Sequence, residues 1–70
     1  MPHIAIQMYP GRDQKTKEKI AKKMQAVLAE EMQADKKYFS VSIQDVEAID
    51  WDTKVDDKID PETLFISADF

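Results

Sequence analysis

The first residues of the chain carry its clearest chemical signal. Met1 is followed by Pro2, and an initiator methionine is readily removed when the second residue is small. Removal leaves Pro2 with a free secondary amine, and an α-amino group titrates at roughly 7.7–8.0 in ordinary peptides. A low-dielectric pocket or a nearby cation lowers that pKa, which makes the amine an efficient base near neutral pH. Pro2 is therefore a candidate general acid/base, although many chains begin with Met-Pro for no chemical reason.

The usual catalytic constellations are missing from the sequence. It has no cysteine nucleophile, no glycine-rich phosphate loop and no serine in a nucleophile-elbow context. The one histidine, His3, either tunes the neighbouring amine or is a surface or interface side chain. Most carboxylates lie in an acidic tail and are interpreted as solvating groups. We expect no metal and no organic cofactor.

Two short segments with alternating polarity flank one long segment with helical periodicity. The alternation of apolar with small or polar residues predicts strands over residues 3–8 and 39–46. A Pro-Gly pair ends the first strand, and Asp13 is a suitable N-cap for a helix that continues to about residue 33. Strand, helix and strand in this order predict a βαβ unit with a right-handed crossover and parallel strands.

Each predicted strand has one apolar face, which can lie under the helix, and one small, polar face. The polar faces carry Ala5, Gln7, Ser40, Ser42 and Gln44. The helix has one apolar stripe, made of Ile20, Met24, Val27, Leu28 and Met32, and we predict its last four members to be core. A two-stranded sheet is unstable alone, and parallel sheets are usually covered on both faces. A partner subunit is therefore expected to extend the sheet and cover its bare face.

The segment from Asp50 onward is less regular. Its sequence predicts a short helix from Trp51 to Asp60 that Pro61 ends. Residues 64–66 are predicted to form a short extended piece that docks on a neighbour.

The chain has 70 residues, which predicts a single domain over residues 1–70. A domain this small is marginally stable and commonly relies on disulfides, a structural metal or oligomerisation. There are no cysteines and only one histidine, so disulfides and a histidine-rich metal site are excluded. We expect the remaining solution, a homo-oligomer.

The net charge is −4, and the charges are unevenly placed. Six of the ten basic residues fall between Arg12 and Lys23, and nine of the fourteen acidic residues fall from Asp45 onward. A net acidic chain binds nucleic acid poorly, whereas the basic segment is either a solvated helix face or a local attractor of a small anion. Without a signal-peptide pattern or an apolar run of membrane-spanning length, we expect a cytoplasmic protein with no nucleic-acid or membrane partner.

The order of these features, from Pro2 to about Trp51, resembles the 4-oxalocrotonate tautomerase family of short βαβ chains. In that family a proline after the initiator methionine is the general base, which matches Pro2. A Gly-Arg pair ends the first strand, as Gly11-Arg12 does here, and its arginine engages a substrate carboxylate. An aromatic residue beyond the second strand closes the pocket, and Trp51 falls at that position. The resemblance implies an α+β fold: a single βαβ unit with parallel strands and a short C-terminal helix or extended tail, completed by oligomerisation.

The Met-Pro-His-Ile opening and the Pro-Glu-Thr-Leu pattern of the tail look closest to one subgroup. These are short, dimer-forming bacterial tautomerases that act on phenylenolpyruvate-like enols. Many hexameric members carry a second arginine in the second strand, where a gapless alignment places Ser40. That departure weighs against a dicarboxylate substrate and favours a dimer over a hexamer.

The leading hypothesis is an isomerase that shifts a proton between the enol and keto forms of a small 2-oxo acid. Arg12 would hold the carboxylate, Pro2 would move the proton, and Trp51 would exclude water. Two alternatives stay open: a non-catalytic oligomeric βαβ module, and a hydratase or dehalogenase of an unsaturated acid that uses the same amine. Arg12 and Trp51 also have plain structural interpretations, as the start of a solvated helix and as a core residue.

Overall fold

A computed structural model of the chain describes residues 1–69, so the last residue of the predicted domain, Phe70, lies outside the described residues. The elements are β1 (His3–Met8), α1 (Gln14–Met32), β2 (Ser40–Asp45) and a short α2 (Trp51–Lys54). The two strands pair in parallel, with His3 opposite Ser40 and Met8 opposite Asp45. The predicted βαβ unit with parallel strands and a short C-terminal helix is therefore confirmed.

Polar groups define both ends of α1. Asp13 is the N-cap, as predicted, and its carboxylate accepts a hydrogen bond from the Thr16 N–H at 2.9 Å. Hydrogen bonding to Thr16 lowers the pKa of the Asp13 carboxyl, and the side chain of Thr16 contributes more than its backbone N–H. At the other end the Gln33 N–H donates to the Glu30 carbonyl at 3.1 Å, and the left-handed φ of Gln33, 53°, turns the chain so that the Ala34 N–H donates to the Ala29 carbonyl at 3.0 Å. Within residues 1–69, neither helix has the length and apolar character needed to cross a membrane.

The sheet has one half-buried face and one exposed face. On β1, Ile4 and Ile6 are half-buried, whereas Ala5 and Gln7 between them are exposed. The same alternation holds on β2, so the predicted polar face of the sheet is open to solvent. The most buried side chains of the described chain are Ala29, Phe39, Val46 and Val55. The core is consequently small and lies on one side of the sheet.

Part of the predicted helix stripe lies outside that core. Met24, Val27 and Met32 are 38%, 45% and 52% exposed, so their assignment to the core was wrong. Leu28, the remaining member of that prediction, is half-buried, as is Ile20 in the same stripe. The physical reason is placement: α1 packs mainly on β2, so one strand rather than a broad sheet covers its apolar stripe.

The C-terminal helix is shorter than the predicted span from Trp51 to Asp60. It ends at Lys54, and a separate 3₁₀ turn follows at Asp56–Lys58. The predicted terminator, Pro61, instead opens another 3₁₀ turn, in which the Asp60 carboxylate accepts a hydrogen bond from the Glu62 N–H at 3.0 Å. Proline suits that first position because its φ is preset and the N–H it lacks would have no partner there.

The predicted extended piece at residues 64–66 is not a strand. Phe65 and Ile66 lie in a bend and are 96% and 87% exposed. Large apolar side chains with that exposure contribute almost nothing to the core of their own chain.

We predict that Phe39→Ala lowers the free energy of unfolding by about 3–5 kcal/mol, because it removes a buried ring and leaves a cavity. Urea denaturation followed by circular dichroism would measure the loss. Tyr38→Ala is the matched control, since this adjacent ring is 49% exposed, with the Lys37 ammonium 5.2 Å from its centre. The control should lose less than about 1 kcal/mol, and equal losses in the two variants would contradict the placement of the core.

Candidate active site

The parallel pairing brings the segments that follow β1 and β2 to one edge of the sheet. The chain leaves β1 through Tyr9 and, beyond β2, begins α2 at Trp51. The two ring centroids lie 4.9 Å apart with their planes at 85°, the edge-to-face arrangement that aromatic quadrupoles favour. This contact holds the start of α2 against the loop that follows β1.

An open pocket of about 450 Å³ surrounds this aromatic pair. It is lined by Met8, Tyr9, Arg12, Ile20 and Trp51. Arg12 is the charged member of that set, and the other four are apolar or aromatic. Two of the three predicted site residues, Arg12 and Trp51, therefore lie in the same pocket.

The position of Arg12 depends on the only glycine of the chain. Gly11 has a φ of 134°, a backbone conformation that residues with a Cβ rarely adopt. The single glycine of the sequence therefore answers a backbone requirement at this turn. It turns the chain from the end of β1 so that Arg12 lines the pocket just before α1 begins.

The charges near the pocket differ in their availability. Lys17, on the first turn of α1, forms a 2.8 Å ion pair with Asp45 at the end of β2. Within residues 1–69 the Arg12 guanidinium forms no ion pair, and it is exposed. Because the Lys17 charge is already paired, Arg12 is the pocket's available partner for an anionic ligand.

Pro2 lies at the opposite end of β1. It is half-buried, and its carbonyl accepts a hydrogen bond from the Ser40 N–H at 3.2 Å. A strand advances about 3.3 Å per residue, so the six steps from Pro2 to Met8 span about 20 Å. Within one chain, Pro2 and the pocket that holds Arg12 and Trp51 cannot contact the same small molecule.

The start of β2, on which Pro2 docks, is held in turn by α1. The side-chain amide of Gln25 donates to the carbonyls of Lys36 and Phe39, each at 2.9 Å. Phe39 is only 4% exposed, so packing and hydrogen bonding act at the same point. The helix thus fixes the strand end that fixes Pro2.

A polar cluster that the sequence did not predict lies beside Pro2. The His3 ring spans two residues of β2, with Nδ1 2.7 Å from the Ser40 hydroxyl and Nε2 3.0 Å from the Ser42 hydroxyl. The strand register would have predicted it, because it pairs His3 with Ser40 on the polar face. In the described chain, no group of three His, Cys, Asp or Glu side chains is placed to hold a metal ion.

Comparison with known proteins agrees with this fold. The family model described as "Tautomerase enzyme" matches residues 2–55, which is more than half of the chain, and the chain belongs to that family. The match confirms the resemblance to the 4-oxalocrotonate tautomerase family that was drawn from Pro2 to about Trp51. Neither the curated proteins nor the solved structures gave a significant match.

We predict a measurable coupling between Tyr9 and Trp51, because their edge-to-face contact adds to what each ring contributes by burial. A double-mutant cycle with Tyr9→Leu and Trp51→Leu should give an interaction free energy of about 0.5–1.5 kcal/mol in urea denaturation. The control cycle combines Tyr38→Leu with Trp51→Leu. Tyr38 precedes β2 at the far edge of the sheet, so the interaction free energy of this pair should be near zero. Additive losses for Tyr9 and Trp51 would contradict the contact.

Proposed function

We propose that this protein is a tautomerase that interconverts the enol and keto forms of a small 2-oxo acid, with the amine of processed Pro2 as its general acid/base. The observation that carries the proposal is that Arg12 and Trp51 line one largely apolar pocket, in a chain of the tautomerase family. Within residues 1–69 the Arg12 guanidinium forms no ion pair. Met1 is fully exposed, which leaves it accessible for removal. Until it is removed, the Pro2 nitrogen is an amide and has no basic lone pair.

In the proposed mechanism, Arg12 binds the substrate carboxylate through two parallel hydrogen bonds. The Pro2 amine accepts the enol proton from oxygen and delivers a proton to the neighbouring carbon, so the reaction is a redistribution of one proton. No oxidation occurs, and the amine returns to its starting state. Trp51 and the apolar wall keep water from the proton in transit, and they lower the local dielectric, which strengthens the Arg12–carboxylate pair.

This mechanism requires two subunits, because Pro2 and the pocket lie about 20 Å apart along one strand. We infer that Pro2 of one subunit faces Arg12 and Trp51 of another. The bare polar sheet face and the small core support association, as do the apolar side chains of Ile49 and Phe65, which are 91% and 96% exposed. A homodimer is the proposed assembly, with a hexamer as the alternative.

The lining of the pocket supports a particular substrate class. One guanidinium and four apolar or aromatic side chains suit a monocarboxylate whose other end is apolar. Many members of the family that this chain resembles carry a second arginine where this chain has Ser40. The Ser40 hydroxyl is small and uncharged, and it is hydrogen-bonded to His3. A phenylenolpyruvate-like enol therefore fits the proposal better than a dicarboxylate.

We predict that Pro2→Ala lowers kcat for phenylenolpyruvate by about 10²–10⁴-fold, because the primary amine that it leaves lacks the pyrrolidine ring that orients the general acid/base. A chain whose N-terminus is blocked by a retained tag should lose activity to the same extent, because its Pro2 nitrogen stays an amide. Steady-state kinetics measure the effect, intact mass verifies the processing, and circular dichroism verifies the fold. Unchanged turnover in either variant would refute the role of the amine.

We predict that Arg12→Ala raises KM more than it lowers kcat, with a loss of about 1.5–3 kcal/mol in kcat/KM, the range for a hydrogen bond to a charged group. Arg12→Lys should recover only part of the loss because an ammonium cannot form two parallel bonds. Lys15→Ala, which removes a nearby exposed cation, is the matched control. If the Lys15 and Arg12 variants behave alike, Arg12 acts only through general charge.

We predict that mixing two inactive variants restores activity. In dimers of Pro2→Ala and Arg12→Ala chains, one of the two composite sites regains both native residues, so random exchange should give about a quarter of the wild-type rate. Sedimentation at micromolar concentration should show the mass of two 8.1 kDa chains. A folded monomer, or a mixture as inactive as its components, would contradict the composite site.

A further inference from the structure

The polar cluster formed by His3, Ser40 and Ser42 touches the residue that carries the proposed catalytic amine. Ser40 makes two separate contacts with the start of the chain: its N–H donates to the Pro2 carbonyl at 3.2 Å, and its hydroxyl bonds Nδ1 of His3 at 2.7 Å. The other ring nitrogen of His3 is held by Ser42 at 3.0 Å. Neither His3 nor Ser40 lines the pocket that contains Arg12.

We propose that His3 and Ser40 are positioning residues that hold the Pro2 amine in its reactive orientation. The proposal rests on the proposed function, in which Pro2 is the general acid/base. In this role Ser40 holds the N-terminus in place through hydrogen bonds and does not bind substrate.

The need for such a device follows from the chemistry of a terminal residue. Processed Pro2 is attached to the protein by a single peptide bond, and chain termini fray unless they are tied down. His3 and Ser40 form the first pair of the parallel ladder, where fraying begins. A misplacement of about 1 Å can cost on the order of 10²-fold in rate, so a frayed terminus would impair the reaction without unfolding the protein.

The contacts constrain the terminus at two successive residues. The hydrogen bond to the Pro2 carbonyl sets the plane of the Pro2–His3 peptide. The bonds to the imidazole hold His3 on β2, so that this plane cannot swing away from the sheet. The rotation that remains is about the Cα–C bond of Pro2, and the half-buried pyrrolidine ring restricts it further.

The arrangement does not depend on the protonation state of the imidazole. A hydroxyl can rotate either to donate or to accept a hydrogen bond. Both bonds to the His3 ring can therefore persist whether the ring is neutral or charged. A holding role of this kind predicts that removing the ring changes kcat but leaves the acidic limb of the pH–rate profile in place.

The test compares His3→Ala and Ser40→Ala with the processed wild-type protein. Each variant should lower kcat by about tenfold or more and leave KM within about twofold, because misplacement of the amine affects the reaction step rather than carboxylate binding. The double variant should be no worse than the worse single variant, since both remove the same bond. The NMR order parameter of the Pro2 Cα–H bond should fall from about 0.85 toward 0.6 or below.

Two conservative variants separate positioning from imidazole chemistry. His3→Asn places an amide where Nδ1 lies, and Ser40→Thr keeps the hydroxyl, so both should retain most of the activity and the order parameter. Glu30→Gln is the control: it alters an exposed side chain on α1 rather than on the sheet face proposed to associate, and that side chain has no hydrogen bond or ion pair within residues 1–69. It should behave as wild type.

Three outcomes would overturn the inference. Wild-type kcat and order parameter in both alanine variants would show that the cluster holds nothing of consequence. Full loss in His3→Asn, or a shifted acidic limb, would assign His3 to proton chemistry. Dissociation of the oligomer in sedimentation would make the cluster an interface element. If Pro2→Ala itself retains wild-type turnover, the proposed function fails instead, and that result is read independently of the His3 and Ser40 variants.

Discussion

The parallel alignment of β1 and β2 is the constraint on which the rest of the structure depends. Parallel strands bring their carboxyl ends to one edge of the sheet and their amino ends to the other. Tyr9, Arg12 and Trp51 consequently meet at one edge, and Pro2 docks at the opposite edge beside Ser40. The length of a strand separates the proposed base from the proposed carboxylate site. A fold this small can therefore contain every required group and still lack a complete site within one chain.

The same two-stranded sheet explains why part of α1 and one face of the sheet are exposed. It is too narrow to bury the full apolar stripe of α1, so Met24 and Val27 remain partly exposed. Its second face is exposed within residues 1–69 and presents small and polar side chains. Association with a second copy would cover both surfaces, and it would bring the proposed Pro2 base of one chain to the Arg12 pocket of the other. In a chain of this kind, stability and activity are expected to depend on one event.

Polar contacts, rather than a large core, set the finer geometry of the unit. Gln25 attaches the start of β2 to α1, and the Lys17–Asp45 pair attaches the end of β2 to the same helix. The His3–Ser40 contact continues this arrangement outward to the N-terminus.

The sequence by itself determined the local elements and the residue types of the candidate site. Alternation located both strands, Asp13 located the start of α1, and the Pro-Gly pair located the end of β1. These features are readable because each depends on a residue and its near neighbours. The strand–helix–strand order then required parallel pairing, since a helical crossover returns the chain in its original direction.

Only the tertiary structure decided which of those residues meet. Helical periodicity cannot say how much of a stripe its covering sheet will bury, which is why Met32 was misplaced. The contact between Tyr9 and Trp51 and the cluster of His3 with Ser40 join residues far apart in the chain, and they depend on strand register. Register is a property of the assembled sheet. For that reason the sequence could place Pro2 and Arg12 at opposite ends of one predicted strand, but only the fold showed that Arg12 lies in one pocket with Trp51.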